Sequence, residues 1–485
     1  MSELVSEAVD LGRLFPEILT EISADQDRVG LEKKQLRLER AQWLARRTPA
    51  LPGLEAEAGA EAKAAALLGG RPRMAPETVL VFLVLSHHFH SVYAREGADR
   101  LADSLSVHSY LMDRGLALPG ARTIGDNVNA VGPETLGLIL RCQLQLAQAE
   151  GLDDFSEVCG DSTACAANAE HPVDSRLIHA LLERCFREGS RLSRFGLPDF
   201  RPFHVPRWLE EMRALDFRIS NAKKARERKK LYRKCLETSA KVILHLREEV
   251  RRLLAVPLPA DPDPVLLARR RRCLDRLVGD LSAACHVHGR CQERVLEGKT
   301  LKGSHRILSI ADEAASWIAK GDRHPVVGYK PQIARSGNGL VAALIVPEGN
   351  AADAAMLAPL VGEAVANTGV VPALASFDDG YTSAANLRDL KRMGIRDVSF
   401  SGAKGKRLLG DEAWDGDILR EARRNRSAVE SLMFCLKHCH QFGQLRRRGI
   451  DGVRAELAGK AVVYNFCRIV MLRRGEGARQ TDEAA

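Results

Sequence analysis

Between an apolar β-type run, Val158-Cys159-Gly160-Asp161-Ser162-Thr163, and the next strand signals at Val326 lies a long stretch of different character. From Arg176 to roughly Gly321 there is almost no strand-like alternation and much helical periodicity. One strand therefore stands far ahead of its partners, so an α/β domain must close around a helical insertion. Within it, Trp208 to Leu254 fits one long helix or a kinked pair, with Trp208, Met212, Leu215 and Ile219 on one stripe and Ile243, Leu246, Val250 and Leu253 on another. The proline-rich turn from Pro257 to Pro264 then sends a second helix, Val265 to about Leu296, back antiparallel. Strand signals resume at Val326 to Ala334, Leu340 to Val346, Val371 to Phe377 and Arg396 to Phe400. They are interleaved with helical patterns at Ala352 to Ala366, Ser383 to Met393 and Ile418 to Phe442.

Ahead of the first strand the pattern is all helical. Residues 1–47 read as two short helices interrupted at Gly12 and Pro16, and the Ala/Glu/Gly-rich piece from Pro52 to Gly70 reads as a linker. Val79 to Tyr93, Asp99 to Met112, Thr123 to Val131 and Glu134 to Glu150 form a compact helical unit. The expected divisions are 1–70 for N-terminal helices and linker, 71–150 for the helical unit and 151–175 for the first strand. The insertion follows at 176–322, the remaining α/β domain at 323–475 and a disordered tail at 476–485.

With 485 residues and 45% hydrophobic content the chain can bury several cores. Its formal charge of +9 favours a polyanionic partner. The distribution is sharper than the total. From Arg218 to Lys234 nine residues are basic and only Glu227 is acidic, which makes Lys223, Lys224, Lys229 and Lys230 candidate phosphate contacts. The N-terminus lacks a signal-peptide layout and the longest clean apolar run, Val79 to Leu85, cannot span a bilayer, so a cytoplasmic protein without membrane contact is expected. Eleven cysteines without a CxxC pair read as reduced, mostly buried thiols.

The chemistry-bearing residues stand at strand ends and on one helix. The first apolar run ends in Asp161, and a second, Ala373-Leu374-Ala375-Ser376-Phe377, ends in Asp378-Asp379-Gly380-Tyr381. On a helix, Arg426, Glu430 and Lys437 return to one face, so a carboxylate is flanked by cations suited to phosphates. Three carboxylates can hold two Mg²⁺ ions while leaving positions for phosphate oxygens and water. Two such ions roughly 4 Å apart serve in-line displacement at phosphorus. Taken singly, each residue has an ordinary reading: Asp161 as a turn or cap, Asp378-Asp379-Gly380 as a strand-ending turn, and Arg426, Glu430 and Lys437 as a solvated ion-pair face.

Together these motifs resemble the DDE insertion-sequence transposases, in the branch whose signature reads Asp-x-Gly-Tyr followed by Arg-x3-Glu-x6-Lys. His171-Pro172-Val173-Asp174-Ser175 and Gly349-Asn350-Ala351-Ala352-Asp353 extend the likeness, which spans roughly Ala75 to Arg474 in motif order. The resemblance implies a ribonuclease-H-like mixed sheet flanked by helices, with Asp161, Asp378 and Glu430 as a catalytic, metal-binding triad for two Mg²⁺, for which Mn²⁺ can substitute. It also implies that Arg426 and Lys437 contact DNA phosphates. Arg423 stands where the family often has a tyrosine, which leaves it a phosphate contact and removes an aromatic role. A helical DNA-binding domain is implied over 71–150, where Arg122, Asn127 and Asn129 are candidate contacts. The implied partners are double-stranded DNA, as terminal inverted repeats and target, and a second copy of the chain on that DNA. The implied reaction is metal-dependent cleavage and strand transfer. A structure-specific nuclease of the same fold and an inactive, domesticated DNA-binding protein are the alternatives.

Other clusters read as structural. Cys435, His438, Cys439 and His440 crowd one helix, and Cys285, His286, His288 and Cys291 lack finger spacing. His87, His88 and His90 follow an apolar helix and read as packing or polar-face residues. Asp174 and Ser175 read as a helix cap, Asn350 and Asp353 as a turn and helix start, and Asp379 as the rival of Asp378.

Overall fold

The structure, a computed structural model, describes residues 1–47, 73–89, 99–169, 173–192, 203–256, 260–300, 307–319 and 324–483. The expected linker from Pro52 to Gly70, His90, His171, Pro172 and the last two residues lie outside the described residues. The chain divides into two compact units: Met1–Arg28, Arg73–Ala169 and Ala314–Ala485 form the first, and Val29–Pro72 with Glu170–Glu313 the second.

The first unit is built on β1 (Glu157–Ser162), β2 (Cys165–Ala166), β3 (Ser316–Ile318), β4 (Val326–Tyr329), β5 (Gln332–Ser336), β6 (Val341–Ile345), β7 (Leu374–Phe377) and β8 (Asp397–Phe400). Five of these form a mixed sheet in the order β6-β5-β1-β7-β8, while β2, β4 and β3 make a separate three-stranded sheet. β1 runs antiparallel to β5 and parallel to β7, β5 runs antiparallel to β6, and β7 runs parallel to β8. The two strands that carry Asp161 and Asp378 are therefore neighbours despite their distance in sequence.

Alternation along the strands sorts the sheet into two faces. On one face Val158, Ala334, Ala375 and Phe377 pack with Leu357, Leu360 and Val361 of the helix Asp353–Thr368. On the other, Cys159 and Ile333 pack with Val429, Leu432, Met433 and Leu436 of the helix Ser427–Cys439, and with Val462, Val463 and Phe466 of the helix Ile450–Glu483. The helices Ser2–Leu14, Pro76–His88 and Pro133–Ala149 join this second core, so the helical segment ahead of β1 shares the compact unit of the sheet.

Several elements differ from the sequence expectation. The run Val326 to Ala334 is two strands in different sheets, broken at Lys330-Pro331, where proline supplies no N–H to a ladder. The first strand after the insertion is β3 at Ser316, ahead of the expected Val326. Ile418 to Phe442 is two helices, Asp417–Asn425 and Ser427–Cys439, meeting at Arg426. The second N-terminal helix, Pro16–Arg47, is 32 residues long; Pro16 opens it, and Gly12 is accommodated inside the first helix facing Leu19 and Leu80. The helices Ala403–Leu409, Asp411–Asp415 and Ile450–Glu483 were not anticipated, and the last runs through most of the segment expected to be a disordered tail.

The second unit is helical. Asp174–Leu192, Arg207–Asn221, Ala225–Leu254 and Pro264–Cys291 enclose a core that includes Leu181, Met212, Leu215, Leu246 and Leu277. Trp208 to Leu254 is thus a pair of helices, and Trp208 itself is partly exposed with the Lys241 ammonium 5.8 Å from its ring centroid.

Candidate active site

The register of β1 against β7 pairs Cys159 with Ser376 and Gly160 with Phe377, so Asp161 and Asp378 each stand one residue beyond the last paired position. Asp378 keeps an extended backbone, φ −80° and ψ 176°. Alternation then puts both aspartates on the face of Cys159, the face covered by the helix Ser427–Cys439. Local bonds fix each one: Asp161 Oδ1 accepts the Ser162 N–H at 2.6 Å, and Asp378 Oδ1 accepts the Gly380 N–H at 2.8 Å. Asp379 has a different task, since its Oδ1 accepts the N–H groups of Lys404 and Gly405 at 3.0 and 3.2 Å and so fixes the start of the helix Ala403–Leu409. Burial, and then the carboxylates of Asp353, Asp161 and Asp378, raise the Tyr381 phenol well above its ordinary range.

Glu430 and Lys437 line a cavity of about 740 Å³ together with Asp161, Ser162, Thr163, Phe434 and His438. Glu430 is 63% exposed and its Oε1 lies 3.2 Å from the Arg426 guanidinium, which is itself largely covered. Asp378 approaches from the neighbouring strand end and does not line that cavity. Among the described residues no three His, Cys, Asp or Glu side chains stand close enough to hold a metal ion. The donor set at the strand ends, two carboxylates on one face, is of the hard oxygen type that suits Mg²⁺ or Mn²⁺.

Other expected contacts have other partners. Arg423 is turned onto Trp414, its guanidinium 3.9 Å from the ring centroid and its Nη2 donating to the Trp414 carbonyl at 2.7 Å. Asn129 accepts from Arg447 at 2.6 Å, and Asn127 accepts from Gln26 at 2.6 Å while donating to the Thr123 carbonyl. Both asparagines thus have partners within the chain, and Asn129 remains exposed. Arg122 is exposed with Asp126 at 3.7 Å. Lys223, Lys224, Lys229 and Lys230 are exposed in the second unit, on and just before the helix Ala225–Leu254.

Among the described residues the cysteine and histidine clusters build no metal centre. Burial, and then Cys439, push the Cys435 thiol up to about 11, the His438 ring lies 4.2 Å from Phe434, and His440 is buried against Tyr464. His288 bonds the Leu236 carbonyl at 3.1 Å. Asp174 pairs with Arg294 at 2.5 Å, and Ser175 donates to Asp216 at 2.7 Å. Asn350 donates to the Trp317 carbonyl at 3.1 Å, shaping the turn as expected. The reading of Asp353 as a helix start missed its side chain, which pairs with Lys330 at 2.8 Å and accepts from Gln332 at 3.0 Å beneath the strand ends. The signal was its place in the Gly349–Asp353 motif just ahead of the second aspartate.

The family described as transposase DDE domain matches residues 291–466, a span that holds Asp378, Glu430, Arg426 and Lys437. No curated protein and no solved structure compared with the chain matches it. Among the described residues no helix is long and apolar enough to cross a membrane.

Proposed function

We propose that this chain is a DDE transposase of the insertion-sequence type, a reading supported by the family match over residues 291–466, and that it binds the terminal inverted repeats of its element, cuts there and joins the ends to target DNA. The observation that carries this reading is the pairing of β1 with β7, which ends two parallel strands in Asp161 and Asp378 on the face of the helix bearing Glu430 and Lys437. The strand order and directions support a ribonuclease-H-like reading of the sheet.

In this reading Asp161, Asp378 and Glu430 would hold Mg²⁺, or Mn²⁺ in its place. When bound, the ions supply Lewis-acid activation of the attacking oxygen and charge neutralisation at the leaving one. Arg426 and Lys437 grip phosphate oxygens on either side of Glu430 along the helix. A phosphate that takes the Arg426 guanidinium competes for the ion pair that now holds Glu430, so engagement of the DNA end releases the carboxylate toward Asp161. Water attacks the phosphorus of the scissile phosphodiester and the 3′-oxygen leaves. The freed 3′-hydroxyl then attacks a target phosphodiester, a new 3′-oxygen–phosphorus bond forms and the target's own 3′-oxygen departs. The exposed lysines of the second unit add sequence-independent affinity for the duplex. Both element ends are handled together by two copies of the chain, acting on nucleoid DNA in the cytoplasm.

The test is cleavage and joining of a labelled end substrate by the full chain and by Asp161→Asn and Asp378→Asn. Both variants should lose cleavage while binding the substrate as the unaltered chain does. Retained cleavage in either would overturn the assignment, and cutting without joining would favour a nuclease of the same fold.

A further inference from the structure

Behind the strand ends, on the sheet face opposite Asp161 and Asp378, lies a polar network that the proposed chemistry has not used. Tyr381, fully buried, comes from the turn that begins at Asp378, and its hydroxyl donates to Gln332 Oε1. Gln332 is also fully buried, and it is paired in register with Ser162, the residue after Asp161. Its amide nitrogen donates to Asp353 Oδ1 at 3.0 Å, so one side chain ties the Asp378 turn to Asp353. Lys330, almost entirely buried, closes the network with its ammonium 2.8 Å from Asp353 Oδ1 and 3.3 Å from the Ala351 carbonyl. Gly380 shows how near the turn comes, because a Cβ there would lie 3.0 Å from Asp378 Oδ1 and 3.5 Å from Asp353 Oδ2. Burial alone would raise the Asp353 carboxyl, but hydrogen bonds from Lys330 and Gln332 outweigh it and hold the group below the ordinary carboxylate range.

Burying a lysine, a glutamine and a tyrosine hydroxyl under one carboxylate costs stability unless every member is satisfied. A purely structural sheet end would be served as well by apolar side chains. Asp353 already neutralises Lys330, which suits it to orienting other groups better than to ligating a cation. We infer that Asp353, Gln332 and Tyr381 are positioning residues that fix the spacing of Asp161 and Asp378 for divalent-cation binding. The inference rests on the proposed role of those two aspartates. Partners behind metal ligands are commonly worth about 10–100-fold in metal affinity or activity.

The experiment measures Mn²⁺ binding to the full chain by electron paramagnetic resonance, alongside the Mg²⁺ concentration for half-maximal cleavage, the affinity for end DNA without metal, and the melting temperature. Tyr381→Phe keeps the buried ring and removes only the hydroxyl, while Asp353→Asn removes the charge and Asp353→Glu restores it. The first two should weaken Mn²⁺ binding and raise the Mg²⁺ requirement about 10-fold or more, with DNA affinity unchanged, and Asp353→Glu should recover part of the loss. If they bind Mn²⁺ normally and only melt earlier, the network is structural and the inference falls. Asp161→Asn in parallel separates the two claims. Should it lose Mn²⁺ binding while Asp353→Asn and Tyr381→Phe keep theirs, the positioning role alone fails; should it bind and cleave normally, the site assignment fails and takes the positioning role with it.

Discussion

Asp161 and Asp378 leave the sheet side by side because Gly160 and Phe377, the residues before them, are opposite one another on parallel strands. That pairing depends on the absence of a side chain at 160. A Cβ there would lie 2.5 Å from Phe377 Cε1, 3.1 Å from Leu360 Cδ2 and 3.2 Å from the Ile333 carbonyl oxygen. The glycine is thus where the core beneath the helix Asp353–Thr368 packs directly against the strand that carries the first aspartate.

Gly160→Ala should therefore act on stability and on the site together. Overpacking at this contact is expected to cost about 1–3 kcal/mol, read from urea unfolding. Since relief displaces the Phe377 ring, next to Asp378, or the strands themselves, cleavage should fall further than the loss of folded protein explains. A variant as stable as the unaltered chain would show that Phe377 yields freely and that the contact does not set the strand spacing.

Glu430 and Lys437 line one cavity with Asp161 but carry opposite charge, so their losses should differ in kind. Glu430→Gln should abolish cleavage at every Mg²⁺ concentration and leave DNA binding nearly intact, because a neutral amide is a poor cation ligand. Lys437→Ala should weaken engagement of the DNA end by about 1–3 kcal/mol and leave the Mg²⁺ requirement where it was. Cleavage titrated against both Mg²⁺ and DNA distinguishes them, and normal cutting by Glu430→Gln would remove Glu430 from the ligand set.

The strand-end aspartates and the helix of Glu430 were legible in the sequence because each rests on a local pattern: an apolar run that stops at an acid, and a face repeating at helical spacing. What was not legible depends on contacts distant in sequence. Asn129 is held by Arg447, 318 positions away, and nothing near Asn129 announces it. Arg423 folds onto Trp414, a residue whose helix was itself not anticipated. The helix Ile450–Glu483 escaped notice because it is buried around much of its girth, and its Glu456–Lys460 pair, 2.7 Å apart and almost wholly buried, interrupts any apolar stripe. Asp353 looked like a helix start and is one, but its bonds to Lys330 and Gln332 arise only when β5 pairs with β1.

The four lysines Lys223, Lys224, Lys229 and Lys230 are exposed, which suits both a DNA surface and a solvated helix face. Salt dependence separates these. Charge reversal at all four should weaken duplex binding and lower the slope of log affinity against log salt by about 0.9 for each lysine that contacts a phosphate. Folding should be unaffected, since these side chains belong to no buried cluster. An unchanged slope would reduce the run to a solubilising face and move the burden of DNA binding elsewhere.

His87 makes the acid limb of stability testable. Its ring is buried and close-packed against Gly459, where a Cβ would meet Nε2 at 2.3 Å, and burial, followed by the charges of Arg447 and Lys460, lowers its pKa from 6.5 to about 3. The folded chain thus keeps the imidazole neutral where the unfolded chain protonates it. The unfolded state binds more protons as pH falls below 6.5, so stability drops through that range at up to about 1.4 kcal/mol per pH unit and levels off only near the folded value. His87→Gln removes the titration and keeps a polar side chain of similar reach. It should flatten the decline between pH 6 and pH 4 measured by urea unfolding, whatever its effect on stability at pH 7.5. An identical pH slope in the variant would mean that the ring is protonated in the folded chain, and that the buried contact with Gly459 opens to water.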